Sequence, residues 1–157
     1  MSRTREVAGL VVWIGLCLGA GFLGSQLGEP GQWYAQLEKP SWNPPSWVFG
    51  PVWTVLYVLM GIAAWLVWKE RGFGGAPTAL GLFLAQLVLN VAWTGIFFGL
   101  QRPDLAFLEI LVLWALILAT LVAFWRVRAA AGALLLPYLA WVSFATALNF
   151  AIWQLNT

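Results

Sequence analysis

A chain of 157 residues that is 62% hydrophobic and only 9% charged, against roughly 25% charged in an ordinary soluble domain, cannot cover itself with polar surface. The composition excludes a water-soluble monomer and implies an integral membrane protein. A net charge of +2 is too small to point to nucleic acid as a partner. With no histidine and Cys17 as the one cysteine, the chain lacks the usual haem ligands, a zinc site, a disulfide and any Ser-His or Cys-His nucleophile, so neither a metal nor a classical cofactor is expected.

The first apolar run, Val7 to Leu27, is long enough to cross a hydrocarbon core of about 30 Å and carries no cleavage signature, so it reads as a retained helix. Residues 28–50 then form the one long connection. It holds Trp33, Trp42 and Trp47 together with Pro40, Pro44 and Pro45, followed directly by Pro51 and Trp53. Each proline fixes its own φ, lacks a donor and restricts its predecessor, so this segment loses little entropy on ordering. Its indoles are too apolar to stand in water. Two pictures satisfy them: a folded lid packed onto the bundle, or a loop lying in the headgroup layer.

Four further runs, about 51–68, 79–100, 105–125 and 132–155, each have the length of a span. They predict an all-α membrane protein, one domain over residues 1–157, built as five transmembrane helices with a long Trp/Pro-rich first loop. An open sheet would leave backbone groups unpaired in lipid, and a barrel needs alternating polarity that these runs lack. The short breaks at 69–77, 101–104 and 126–131 make sequential helices antiparallel. Arg3, Arg5, Lys69, Arg71, Arg126 and Arg128 then fall on one side and only Lys39 and Arg102 on the other, which predicts a cytoplasmic N-terminus and an extracytoplasmic first loop. Small residues four apart, Gly15/Gly19, Ala20/Gly24, Gly81/Ala85 and Gly95/Gly99, allow close backbone approach, either within the bundle or between two copies.

At 1.5 Å of rise per residue, Asn90 and Trp93 lie roughly 15 and 10 Å from the loop-side end of the third span, and Glu109 about one turn below the same end of the fourth. Glu109 is costly in hydrocarbon as a charge, so it should face the interior, be neutral, or reach the surface. In the fifth span Trp141, Ala145, Leu148 and Asn149 make one stripe, and Trp53 with Tyr57 makes an i, i+4 pair opening the second. These stripes converge beneath the long loop. Trp93 and Trp141 are either core filler or the lining of a cavity, and Asn90 either bonds a neighbouring helix or faces that cavity. Trp65, Trp68, Trp125 and Trp153, near helix ends, read as interfacial belt residues.

Several motifs carry a resemblance to a known family. WYxxLxKPxWxPP at Trp33 to Pro45, Trp53 at the opening of the second span, NxxWT at Asn90 to Thr94 with IFFG at Ile96 to Gly99, and PYLAWxxFATxLNF at Pro137 to Phe150 occur in order along the whole chain. In this the chain resembles the translocator proteins, also called tryptophan-rich sensory proteins or peripheral-type benzodiazepine receptors. The resemblance implies a five-helix bundle, often homodimeric, with a loop-side pocket for porphyrins such as protoporphyrin IX and for aromatic drugs. It links bacterial members to tetrapyrrole regulation, stress responses and light-dependent porphyrin breakdown. Motif by motif it implies a binding set of Tyr34, Pro44, Pro45, Trp53, Tyr57, Asn90, Trp93, Phe97, Trp141, Ala145 and Leu148, with the photochemistry on Trp53 and Trp141. Protoporphyrin would be a ligand, not a cofactor. Phe150 stands where animal members have the tyrosine of a proposed cholesterol motif, and no basic residue follows it, so that motif is not intact.

Three function classes follow: a binding protein for flat hydrophobic ligands, a Trp-based porphyrin-degrading enzyme, and a transporter of tetrapyrroles or lipids. Against transport stand the single membrane-embedded acid, the absence of an evident repeat, and an odd helix count for halves related by inversion.

Overall fold

The computed structural model describes residues 2–28 and 30–157. The chain runs through α1 (Arg3–Leu27), a short α2 (Gln32–Gln36), a 3₁₀ turn (Ser46–Val48), α3 (Phe49–Gly75), α4 (Pro77–Thr94), a π turn (Gly95–Gly99), α5 (Pro103–Val127), α6 (Ala129–Leu134) and α7 (Leu136–Leu155). Five helical segments, the fifth formed by α6 and α7 in succession, are long and apolar enough to span a membrane. The protein is thus a multi-pass membrane protein of all-helical fold. Local chemistry marks the helix starts: the Ser2 hydroxyl accepts the Arg5 N–H at α1, and Pro77, Pro103 and Pro137 sit in the first turns of α4, α5 and α7, where a missing N–H costs nothing.

Three boundaries differ from the sequence expectation. The second span was expected to end at Trp68, yet α3 continues through Lys69, Glu70 and Arg71, because these are good helix formers and a charge obliges a helix to leave hydrocarbon, not to unwind. Its geometry breaks only at Gly72, whose φ of 68° and ψ of 172° belong to a region open to glycine alone. The third span does not continue as α-helix to Leu100: after Thr94 it widens into the π turn, where Leu100 N–H donates to Gly95 O at 2.8 Å and Gln101 takes a φ of 56° to turn the chain. The fifth is two helices, with Leu135 and Pro137 at the join, since proline supplies no N–H for a continuous ladder.

Around the bundle the order is α3, α1, α4, α5 and then the α6/α7 segment, which returns to α3. The end opposite the long loop is dense. Met60, Ala63, Ala64 and Val67 of α3 pack with Leu80 and Phe83 of α4, Phe124 of α5 and Leu135, all fully or almost fully buried. α1 and α3 touch closely there, because a Cβ added at Gly61 would meet the Ile14 Cα at 2.7 Å and Gly9 lies directly against the Trp68 ring. Trp65 donates to Glu6 O at 2.8 Å, so Trp65 and Trp68 join α1 to α3 and are more than belt residues. The outer surface is apolar, Phe22 being 68% and Val88 67% exposed, as lipid-facing positions must be.

At the loop end α1 changes partner. Gly24 faces Thr94, and a Cβ added at Gly28 would meet the Gly99 backbone N at 2.5 Å, so the last turn of α1 leans on α4 and its π turn, while Gly21, one turn earlier, still lies against the Tyr57 ring of α3. The other neighbour of α3 is also lost, since α6 packs against α3 at the far end whereas α7 makes few contacts with it. A space is left between them.

Candidate functional site

That space is a cavity of about 410 Å³ in the loop-side half of the bundle. Nine of the eleven residues singled out from the sequence line it: Trp53 and Tyr57 from α3, Asn90 and Trp93 from α4, Phe97 from the π turn, Trp141, Ala145 and Leu148 from α7, and Tyr34 from α2. Pro44 and Pro45 are not among the lining residues. They stand between Asn43, which accepts the Tyr34 hydroxyl at 3.2 Å, and the 3₁₀ turn, so they shape the loop without walling the cavity. The α1 wall, Leu18, Gly21 and Ser25, was not legible in the sequence, because nothing in an apolar helix marks which face its neighbour abandons. Leu18 and Ser25 on α1 and Gly50 and Thr54 on α3 are exposed as well as cavity-lining, so the cavity opens sideways between the loop-side ends of these helices.

Aromatic rings make two walls. On one, Trp53 stacks on Tyr57 with centroids 5.6 Å apart, and Phe49 meets Trp141 edge-on at 6.0 Å. On the other, Trp93 stacks on Phe97 at 5.0 Å, and Phe97 takes the edges of Tyr34 and Trp33 at 6.4 and 5.7 Å. A cavity lined so largely by aromatic side chains suits a flat apolar guest. The indole N–H groups of Trp65, Trp93 and Trp114 each find an acceptor, whereas those of Trp53 and Trp141 have none among the described residues and are not sealed from their surroundings. They are donors held in reserve.

Most other polar groups of the cavity are paired within the protein, the Thr94 hydroxyl being an exception among the described residues. Tyr57 Oη donates to Asn90 Oδ1 at 2.6 Å, and Asn90 Nδ2 donates to Tyr138 Oη at 2.7 Å. Trp93 Nε1 donates to Asn149 Oδ1 at 3.0 Å, and Asn149 Nδ2 to Pro103 O at 2.9 Å, fixing α4, α7 and the start of α5 together. Asn90 therefore does both things open to it, bonding neighbouring helices and facing the cavity. Glu109 is not on the cavity wall: both its oxygens are sealed in the interior without a hydrogen-bond partner among the described residues. Groups of three or more His, Cys, Asp and Glu that could hold a metal do not occur among the described residues.

The long loop folds over the cavity mouth. Tyr34 is buried, and burial pushes its phenol up from the ordinary tyrosine range, with the Asn43 hydrogen bond opposing, so it stays a neutral donor. Lys39 Nζ donates to Tyr34 O at 2.7 Å and Leu37 O at 3.1 Å. Asn156, just beyond α7, clasps the loop by accepting the Glu38 N–H at 3.0 Å and donating to Glu38 O at 2.9 Å. Of the loop indoles, Trp33 packs on Phe97 and Trp42 sets an edge on Phe144, but Trp47 is 75% exposed. The expectation that all three pack down therefore fails at Trp47, which the 3₁₀ turn directs outward. Its position suits an interfacial anchor. Phe150 packs against Phe107 and Trp153 on the outer face of α5 and α7.

Comparison with known proteins gives a consistent picture. A profile described as the TspO/MBR family matches residues 13–154. The chain is 46% identical over 158 aligned residues to the tryptophan-rich protein TspO of Chlorobaculum tepidum, covering 97% of this chain and 98% of that one. It is 48% identical over 139 residues to the translocator protein of Homo sapiens, covering 86% and 82%, and 44% identical over 128 residues to the tryptophan-rich sensory protein of Cereibacter sphaeroides, covering 82% and 79%. With matches of this depth along nearly its whole length, on the fold just described, the chain belongs to the TspO/MBR family.

Proposed function

We propose that the protein is a membrane receptor for flat hydrophobic ligands of the porphyrin class, protoporphyrin IX among them, held between the Trp53/Tyr57 and Trp93/Phe97 walls under the first loop. One observation carries this reading: the cavity of about 410 Å³ is lined largely by aromatic side chains, while most polar groups near it are satisfied internally, leaving the two indole N–H donors and the Thr94 hydroxyl free among the described residues. Such a site favours a large apolar ring system with a few polar groups at its edge. The sideways mouth between α1 and α3 suits a ligand that arrives dissolved in the bilayer. Light-dependent breakdown of the bound pigment is then chemistry of Trp53 and Trp141. Transport is the weaker reading, since the dense packing of Met60, Ala63 and Phe83 lies between the cavity and the far side. A second copy of the chain, if it pairs, has two open small-residue faces to use, at Gly15 with Gly19 and at Gly81.

Ala145 gives the direct test. It lines the cavity one turn above Trp141, and threonine adds a methyl and a hydroxyl there. Overpacking of about 1–3 kcal/mol should weaken protoporphyrin binding by about one order of magnitude, read from quenching of protein fluorescence in nanodiscs. Equal affinities for Ala145→Thr and wild type would take the ligand out of this cavity.

We also propose that the first loop is extracytoplasmic, supported by the six basic residues gathered at the opposite end. Cys17 is fully buried, so a Gln36→Cys protein offers one exposed thiol. A membrane-impermeant maleimide should label it in intact cells. Labelling that appears only in inside-out vesicles reverses the orientation.

A further inference from the structure

Below the cavity floor the hydrogen bonds continue to a residue that the cavity never touches. Tyr57 donates to Asn90 Oδ1 at 2.6 Å, Asn90 Nδ2 donates to Tyr138 Oη at 2.7 Å, and Tyr138 Oη donates to Gln86 Oε1 at 2.7 Å. Gln86 lies one turn from Asn90 on the same face of α4. Tyr57 and Asn90 line the cavity, whereas Tyr138 and Gln86, each 1% exposed, lie beneath it. Every donor in this chain points away from the cavity. The chain ends on Gln86 Nε2, a buried donor with no partner among the described residues.

The direction matters because a phenol has one proton and two lone pairs. Tyr57 gives its proton to Asn90, so what it can turn to the cavity is an acceptor. Asn90 can present Oδ1 to Tyr57 only because Tyr138 receives the amide proton, and Tyr138 can receive it only because its own proton goes to Gln86. Without the Gln86 carbonyl, the one acceptor left to Tyr138 within the chain is Asn90. The Asn90 amide would then turn over, offering Oδ1 to Tyr138 and Nδ2 to Tyr57, and the Tyr57 proton would be released toward the cavity. The four heavy-atom positions need not move for this.

We propose that Gln86 is a positioning residue that sets ligand specificity from beneath the site: by fixing the direction of the Tyr57–Asn90–Tyr138 chain, it makes the cavity floor a hydrogen-bond acceptor. Flat ligands that bring an N–H or O–H to the floor are favoured over isosteres that bring only an acceptor. This rests on the cavity being a site for flat hydrophobic ligands, and it adds which edge chemistry the site selects.

Carbazole and dibenzofuran test it, being rigid tricycles of nearly equal shape with an N–H in one and a bare ether oxygen in the other. Binding of each is measured by calorimetry to protein in nanodiscs and corrected for partition into empty nanodiscs. Wild type should bind carbazole about fivefold more tightly, the worth of one neutral hydrogen bond. Gln86→Leu should lower that ratio to one or below, and Tyr57→Phe should abolish the preference altogether. A packing role for Gln86 would weaken both ligands alike and leave the ratio in place, which overturns the inference. Should Gln86→Leu fail to fold, wild type decides without it: a ratio of one or less, with both ligands binding saturably, overturns this inference alone. Absence of saturable binding by either ligand overturns the cavity reading together with it.

Discussion

Under illumination in air, Trp53→Phe and Trp141→Phe proteins should lose bound protoporphyrin more slowly than wild type while still binding it within roughly tenfold, a difference of about 1.4 kcal/mol. Both side chains line the cavity, and each is also part of an aromatic wall: Trp53 is stacked on Tyr57 at 5.6 Å and set edge-on to Tyr138 at 6.2 Å, and Trp141 packs with Phe49 and Phe144. Phenylalanine preserves much of this packing, so the loss in binding should be limited to part of one stacking interaction, about 0.5–1.5 kcal/mol each. What phenylalanine cannot replace is the easily oxidised indole. These two indoles also have N–H groups without internal partners, unlike that of Trp93, which is tied to Asn149. Trp93→Phe is therefore the informative control, expected to disturb the α4–α7 contact more than the photochemistry. Bleaching at the wild-type rate in both Trp53→Phe and Trp141→Phe would leave these residues a binding role only.

A large effect on stability should come from Gly61→Ala. A Cβ at Gly61 would lie 2.7 Å from Ile14 Cα, 2.9 Å from Ile14 Cγ1 and 3.0 Å from Ile14 N, so the obstacle is mostly backbone and cannot rotate away. α1 and α3 must separate. That should cost about 1–3 kcal/mol and lower the unfolding midpoint by several degrees. Gly15→Ala, on the same helix pair but with no neighbouring atom within 4 Å, should be neutral or slightly stabilising because alanine is the better helix former. Cys17 supplies the readout: it is the one cysteine and is fully buried, so a thiol-reactive dye reports the loss of native packing. Equal midpoints for Gly61→Ala and wild type would mean that the close α1–α3 crossing does not form.

The Asn156 clasp ties the loop to the end of α7, the Tyr34–Asn43 bond is internal to the loop, and Trp33, Tyr34 and Leu37 pack in the cluster around Phe97. The loop's hydrogen bonds to the bundle contribute about 1 kcal/mol each, whereas α3 buries whole side chains such as Met60 and Val67.

The amino-acid sequence by itself determined the class of protein and the elements of its site. Apolar runs of spanning length can do little else but form helices in a bilayer, because every backbone group must be satisfied within its own segment. Side chains repeating at helical spacing, such as Trp141, Ala145, Leu148 and Asn149, share a face whatever surrounds them. Only the tertiary structure decided where the cavity lies and what closes it. The exchange of partners by α1, from α3 at Gly61 to the π turn at Gly99, depends on contacts between residues distant in sequence, and it opens the wall at Leu18 and Ser25 that no local pattern marks. The same holds for Gln86 and Tyr138: each is an ordinary polar residue in an apolar run until helix packing brings them within 2.7 Å beneath Asn90. Local spacing fixes which side of a helix a residue occupies, while the identity of its neighbour is a property of the assembled bundle.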